Sequence, residues 1–173
     1  MSRDYPAEPA DEFPAPPATV TDYDDREIDI RAADVDDHET LATMYDAFDP
    51  EDRAQGIPPV REDQIRTWLD NLLADDCLNI LAAHDGDAVG HATLVPDAGE
   101  SYELAIFVLR DYQGAGIGTH LLEHLLGYAQ TQGAEKVWLT VERWNDPAIA
   151  LYKKVGFEMY NTESFEIEMT IRL

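Results

Sequence analysis

The segment Val108-Leu-Arg-Asp-Tyr-Gln-Gly-Ala-Gly-Ile-Gly-Thr-His-Leu-Leu122 joins two apolar stretches through a glycine-rich turn. The run from Tyr102 to Leu109 predicts a strand, and a helix is predicted from about Gly116 to Gln132, ending at Gly133. The first N–H groups of a helix have no partner within it and lie at the positive end of its dipole. Glycines lack the Cβ atoms that would keep an anion away from these donors. The segment therefore predicts a turn that suits a phosphate or pyrophosphate.

Three phosphate-binding spacings can be compared with this turn. A Walker turn ends in Gly-Lys-Ser/Thr, which is absent here. A dinucleotide fingerprint needs a third glycine where Thr119 stands. The remaining pattern is Gln113-x-x-Gly116-x-Gly118. Taken alone, this pattern could equally be a flexible glycine-containing turn between a strand and a helix that binds no ligand.

Outward from this turn, the chain alternates strand-like and helix-like segments. Further strands are predicted at residues 27–32, 77–83, 88–95, 136–142 and 165–173, and further helices at 41–48, 65–72 and 147–155. Asp34, Asp36 and Asp37 are predicted to cap the first helix, and Asp85-Gly86-Asp87 predicts a hairpin turn. The order predicts an α/β (α+β) fold, with one mixed, mostly antiparallel sheet of about six or seven strands flanked by about four helices.

Acidic residues dominate the composition. Asp plus Glu total 36 and Lys plus Arg total 12, giving a formal charge of −24, and the only lysines are Lys136, Lys153 and Lys154. Non-specific nucleic-acid binding requires the opposite charge, so that class of function is the least favoured. Such an excess of acid destabilises a compact state unless salt screens it, and at ~1 M the Debye length falls to ~3 Å. We therefore expect the protein of a halophile.

The N-terminal residues differ in composition from the remainder. Residues 1–25 are rich in acid, alanine and proline, which predicts an arm that is loose or ordered only by leaning on the domain or on a partner subunit. The domain is predicted at 26–173. Cys77 is the only cysteine, which excludes an intrachain disulfide and a cysteine-based zinc site. With no signal peptide or membrane span visible, a soluble, cytoplasmic chain is expected.

A second segment, Asn145-Asp-Pro-Ala-Ile-Ala-Leu-Tyr152-Lys-Lys-Val-Gly-Phe157, follows the glycine turn about 30 residues later. Together the two segments resemble the Gcn5-related N-acetyltransferase (GNAT) family, whose acetyl-CoA pyrophosphate loop reads Gln/Arg-x-x-Gly-x-Gly/Ala. The resemblance covers residues 27–173 and is nearest to bacterial and archaeal protein-lysine acetyltransferase domains. It implies a GNAT fold and transfer of an acetyl group from acetyl-CoA to a protein lysine, a protein N-terminus or a small amine.

The resemblance also implies where the coenzyme binds. N–H groups of the turn would cradle the pyrophosphate, the strand from Leu104 would pair with the pantetheine arm, and the N–H near Val108 would polarise the thioester carbonyl. Asn145 would bind the coenzyme or cap the following helix. Arg110, Arg143, Lys153 and Lys154 would approach its phosphates, although the two lysines could equally face solvent. The predicted contacts in the turn are Gln113, Gly114, Ala115, Gly116, Ile117, Gly118 and Thr119.

Two residues are predicted to perform the chemistry. Tyr152 matches the tyrosine that protonates the leaving thiolate in the family, although a core tyrosine is the alternative. Glu103 lies in a segment similar to the Ala-Glu-x-Ala-x-x-Val of protein-lysine acetyltransferases, where the glutamate is the base. The alternative for Glu103 is a solvated carboxylate, and Glu142 is the reserve base. The loop from Asp49 to Val60 is expected to help select the amine.

Two other interpretations compete. His120-Leu-Leu-Glu123-His124 matches the pattern of inverted zinc peptidases, but Glu123 is expected to point away from the apolar helix face, so no metal is predicted. A catalytically inactive acetyl-CoA-binding sensor is the alternative function. The expected partner is the amine acceptor, with no nucleic acid or membrane, and a homodimer, common in the family, is left open.

Overall fold

The computed structural model describes residues 3–53, 57–161 and 165–173, which contain eight strands and four helices. The helices are α1 (His38–Asp46), α2 (Glu62–Leu72), α3 (Ile117–Thr131) and α4 (Asp146–Val155). The strands are β1 (Ala18–Thr21), β2 (Glu27–Ala32), β3 (Leu78–His84), β4 (Asp87–Pro96), β5 (Tyr102–Val108), β6 (Lys136–Glu142), β7 (Glu158–Asn161) and β8 (Glu166–Arg172). None of the described helices is long and apolar enough to cross a membrane.

All eight strands belong to one sheet in the order β1-β2-β3-β4-β5-β6-β8-β7. Every neighbouring pair is antiparallel except β5 and β6, which run parallel. The mixed, mostly antiparallel fold is thus confirmed. The strand count is slightly higher than predicted, because β1 and β7 were missed. Both are four-residue edge strands, too short for a clear alternation of apolar and polar residues.

The hairpin of β3 and β4 turns where it was predicted. Asp85 and Gly86 have φ values of 52° and 89°. Two successive positive φ values are what a two-residue hairpin turn of the favoured hand requires. The strands extend one residue closer to the turn than the sequence pattern indicated.

The helices cover the two faces of the sheet unequally. α3 and α4 pack on one face, where Leu121, Leu125 and Ile149 meet buried residues of β3, β6 and β8. On the other face, α1 and α2 cover β3 to β5 through a smaller cluster that includes Leu41 and Leu69. This asymmetry leaves one side of β6 and β8 to be covered by something other than a helix.

The N-terminal arm lies against both faces of the domain. Ala10 N–H donates to Arg172 O at 2.7 Å, and Phe13 N–H donates to Gln130 Oε1 at 2.9 Å. A Cβ at Gly127 would lie 1.9 Å from Pro14 O, so only glycine lets the arm pass over α3. Of the predicted alternatives, the structure has the arm leaning on the domain. β1 lies within the residues predicted as the arm and forms the edge strand of the sheet next to β2.

Candidate active site

β5 and β6 separate soon after they meet. Their parallel register comprises only Tyr102 with Val137 and Glu103 with Trp138. Beyond Glu103 a cavity of about 750 Å³ opens between the two strands and α4. Most of its lining comes from three groups: β5 residues 103–108; Thr140, Val141 and Glu142 of β6; and Asn145, Pro147, Ala148, Leu151 and Tyr152 at α4.

The backbone of β5 offers hydrogen-bonding groups to this cavity. Leu109 N–H donates to Val89 O of the hairpin at 2.9 Å. Because backbone groups alternate along a strand, the N–H and C=O of the preceding Val108 point away from β4, toward the gap. Gln113 Nε2 reaches Val108 O from that side at 3.0 Å. The open edge of β5 can therefore accept an extended ligand as an added strand.

The glycine turn closes one end of the gap. Gly114 and Gly116 have φ values of 72° and 90°, a conformation that favours glycine. The first hydrogen bond of α3 is donated by His120 to Gly116 O at 3.3 Å. The N–H groups of residues 117–119 precede it and have no partner within the helix. Since the side chains of Ala115 and Ile117 are buried in the protein, the turn is fixed from behind and presents its backbone donors outward.

Arg110, which was predicted to approach the coenzyme phosphates, pairs in this structure with acidic residues of the loop after α1. Its guanidinium pairs with Asp49 at 2.9 Å and Asp52 at 2.8 Å, and it also contacts Glu51 at 3.5 Å. Gln113 Nε2 donates to Asp52 as well, at 3.2 Å. These contacts fasten the loop after α1 to the end of β5. In this acidic chain, nearby carboxylates compete for the guanidinium, which the sequence pattern around the turn could not show.

Glu103 and Tyr152 line the same cavity. Partial burial raises the pKa of Glu103, and the carboxylates of Asp97 and Glu166 add to this, whereas Arg3 acts in the opposite direction. Burial raises the pKa of Tyr152 to about 12, so its hydroxyl is protonated at neutral pH. The reserve base, Glu142, also lines the cavity. The structure thus brings the predicted acid and both candidate bases together.

The remaining predicted coenzyme contacts fall into two groups. Asn145 lines the cavity and accepts a hydrogen bond from Ala148 N–H at 3.3 Å, which confirms that it caps α4. Lys153 and Lys154 are exposed in the last turn of α4, and the described lining reaches only the earlier part of that helix.

The opposite wall of the cavity is aromatic and was not identified from the sequence. Trp68 and Phe107 lie 5.5 Å apart between ring centroids, and Phe48 lies 6.1 Å from Phe107. Fully buried Thr93 belongs to the same wall, and its hydroxyl has no hydrogen-bond partner among the described residues. Helical and strand periodicity marks such residues only as core. The predicted selecting loop contributes Glu51, Asp52, Arg53 and Ile57, while its residues 54–56 lie outside the described ranges.

The histidines of α3 make a local contact. His124 is buried, and its Nδ1 lies 2.6 Å from His120 O on the preceding turn. Within residues 3–53, 57–161 and 165–173, no three His, Cys, Asp or Glu side chains are grouped so that they could hold a metal ion.

The chain is similar in sequence to several N-acetyltransferases. An uncharacterized N-acetyltransferase of Mycobacterium bovis is 35% identical over 89 residues, covering 51% of this chain and 57% of that protein. The ribosomal protein bS18-alanine N-acetyltransferase of Escherichia coli K12 is 31% identical over 115 residues, covering 64% of this chain and 72% of the enzyme. The chain therefore spans little more than half the length of the first relative and nearly three quarters of the second.

The fold has close counterparts among solved structures. The GNAT domain of S. lividans PAT matches with a TM-score of 0.77 and 21% identity, covering 90% of this chain and 96% of that domain. The family model for the acetyltransferase (GNAT) family matches residues 41–157, more than half of the chain and including both segments on which the resemblance depended. The chain belongs to the GNAT acetyltransferase family.

Proposed function

We propose that this chain transfers an acetyl group from acetyl-CoA to a primary amine, with Glu103 as the base and Tyr152 as the acid. The observation that carries the proposal is the gap between β5 and β6. The backbone donors of the glycine turn lie at one end of it, Glu103 at the other, and Tyr152 on its wall. This arrangement favours the enzyme over an inactive coenzyme sensor, because a sensor has no need of an acid and a base in one cavity.

The coenzyme side of the cavity fits a pantetheine arm and a diphosphate. The unpaired edge of β5 would bind the amides of the arm, and the N–H groups of the turn from Gln113 to Thr119 would bind the diphosphate. Positive φ at Gly114 and Gly116 keeps these donors on one side of the turn. Asn145, which holds the start of α4, lies close enough to the cavity to add a side-chain contact.

The amine must lose a proton before it attacks the thioester. Glu103 lies on the face of β5 that carries the aromatic wall, where an acceptor would enter. The raised pKa of its carboxyl moves it toward the range in which a general base works well at neutral pH. It would take the proton directly or through a water molecule. Glu142, at the end of the next strand, is the reserve.

Charge develops on two atoms during the transfer. The N–H of Val108, directed toward the gap, would stabilise the negative charge on the carbonyl oxygen. The hydroxyl of Tyr152 would donate a hydrogen bond to the sulfur and pass its proton to the thiolate as it leaves. Because its pKa is raised to about 12, Tyr152 holds that proton until the sulfur has gained charge.

For the acceptor we propose a protein lysine, with a small amine as the alternative. The similarity of the segment around Glu103 to protein-lysine acetyltransferases supports a lysine acceptor. The bS18-alanine enzyme of E. coli makes a protein N-terminus a third class to test. The formal charge of −24 supports a protein that functions in a salt-rich cytoplasm.

The test is a thiol-release screen that pairs acetyl-CoA with lysine peptides, peptide N-termini, polyamines, aminoglycosides and amino acids in molar KCl. Replacing the base, Glu103→Gln, is expected to lower kcat/KM about 100-fold or more while coenzyme A binding by calorimetry is unchanged. Glu27→Gln, at an exposed position of β2, is the matched control and should behave like the unmodified protein. Full turnover by Glu103→Gln would contradict the assignment, and coenzyme binding without release for any amine would favour the sensor.

A further inference from the structure

Residues 3–6 of the N-terminal arm cover the side of β6 and β8 that no described helix covers. Thr170 Oγ1 donates to Asp4 O at 2.9 Å, and Arg172 Nε donates to Pro6 O at 2.7 Å. Both side chains project from β8 on the face opposite α3 and α4, which is also the face that bears Glu103. The arm therefore lies on the same face of the sheet as Glu103, over β6 and β8, next to the end of the cavity where the acceptor would bind.

Arg3, at the end of this segment, is held by an aromatic ring and a carboxylate. Its guanidinium carbon lies 3.4 Å from the centroid of the Trp138 ring, and Nη2 lies 3.2 Å from Glu168 Oε1. Trp138 is fixed in turn, because its Nε1–H donates to Asp97 Oδ2 at 2.7 Å. An aromatic face and a carboxylate together form a subsite for a planar cation.

This subsite borders the proposed base. Trp138 is the direct register partner of Glu103 across β5 and β6. The charge of Arg3 also acts on the Glu103 carboxyl, lowering its pKa against the effect of burial. A cation bound on Trp138 therefore lies within one strand spacing of the residue that would deprotonate the acceptor.

Arg3 fills the subsite incompletely. Its Nε is buried and has no hydrogen-bond partner among the described residues. A buried donor without a partner costs free energy. This cost offsets part of the stabilisation that the Arg3 guanidinium gains from Glu168 and the Trp138 ring. The hydrogen bonds from Thr170 and Arg172 are accepted by backbone oxygens of the arm and do not depend on the Arg3 side chain.

We propose that Trp138, Glu168 and Asp97 form a cation subsite for the acceptor, and that the Arg3 side chain of the arm occupies this subsite when no acceptor is bound. The ligand is a guanidinium or ammonium group that a basic peptide carries next to its acceptor amine. When such a peptide binds, its cation displaces Arg3, and its amine is positioned at Glu103. The inference deepens the proposed function, on which it rests, by naming a basic peptide as the acceptor class.

The test uses N-acetyl-arginine amide, which has no amine to acetylate, and its uncharged isostere N-acetyl-citrulline amide. Calorimetry in molar KCl, without coenzyme, removes long-range attraction to the acidic surface. A tethered group competes at an effective concentration on the order of millimolar, so Arg3→Ala is expected to bind the arginine probe roughly two- to tenfold more tightly. The gain should vanish when Glu168→Gln is added, and the citrulline probe should bind weakly throughout.

Arg61→Ala is the matched control, since it removes an exposed cation paired only locally with Asp63. It should bind both probes as the unmodified protein does. Unchanged or weaker binding of the arginine probe to Arg3→Ala, or equal binding of the two probes, would overturn the subsite. Trp138→Leu adds a second check, with loss of arginine-probe binding expected. Because no turnover is measured, failure here is separate from failure of the thiol-release screen.

Discussion

The two ends of the cavity are built in different ways. The end that we propose for the coenzyme consists of backbone: an open strand edge and a turn in which Gly114 and Gly116 adopt positive φ. The end that we propose for the acceptor consists of side chains from distant parts of the chain: Trp68 and Glu103 line the cavity, and Arg3 packs on Trp138, the strand neighbour of Glu103. A backbone site needs a local pattern of glycines, whereas a side-chain site needs only that distant residues meet. A backbone site can therefore be recognised from a sequence motif, whereas a side-chain site has no such local motif.

Beyond replacement of the base, the largest effect is expected at Tyr152, where the two ends of the cavity meet. Tyr152→Phe removes the hydroxyl that would protonate the thiolate but keeps the ring in the core. We expect kcat to fall about 10- to 100-fold in the thiol-release assay, with coenzyme A affinity unchanged. Tyr128→Phe, which removes a hydroxyl at a partly buried position of α3 away from the cavity lining, is the control. Equal losses in both variants would make Tyr152 a packing residue only.

A smaller effect is expected from breaking the backbone end. Gly116→Ala places a side chain at φ 90° and against the ring of Tyr23, 3.0 Å away. Gly133→Ala has a similar φ of 84° with open space around it, and it lies at the far end of α3. Each is expected to cost about 1–2 kcal/mol of unfolding free energy.

Only Gly116→Ala should also weaken coenzyme A binding, by about tenfold, when measured by calorimetry. The paired design separates strain from ligand contact. If both glycine variants, or neither, lost affinity for the coenzyme, the turn would not be a binding element.

The smallest expected effect concerns the side-chain end and its charge. Arg3 lowers the pKa of Glu103, while Asp97 and Glu166 raise it. A base works only when deprotonated, so kcat/KM should fall as the pH drops through this pKa. Arg3→Ala removes the cation, raises the pKa and should move the acid limb to higher pH, by less than about one unit because salt screens the charge.

The pH profile is measured with an acceptor that has no second cationic group, so that the cation subsite is not involved. Arg61→Ala should leave the limb in place. A limb that moved to lower pH in Arg3→Ala, or one that persisted in Glu103→Gln, would show that another group titrates.

The sequence predicted the fold and the conformation of the glycine turn better than the side chains that meet at the other end of the cavity. The order of elements, the hairpin at Asp85 and Gly86, and the glycine turn follow from local patterns and are present in the structure. The edge strands β1 and β7 were missed because pairing, not patterning, defines them. The ion pairs of Arg110 with Asp49 and Asp52 could not be predicted, because folding brings that loop to the end of β5.

The central claim is that the glycine turn and the edge of β5 bind acetyl-CoA. Its most direct test is amide hydrogen exchange measured residue by residue with and without the coenzyme. Slower exchange is predicted at residues 104–108 and 113–119, with little change at the turn of Asp85 and Gly86. Unaltered exchange across both stretches, with protection appearing elsewhere or nowhere, would contradict the account.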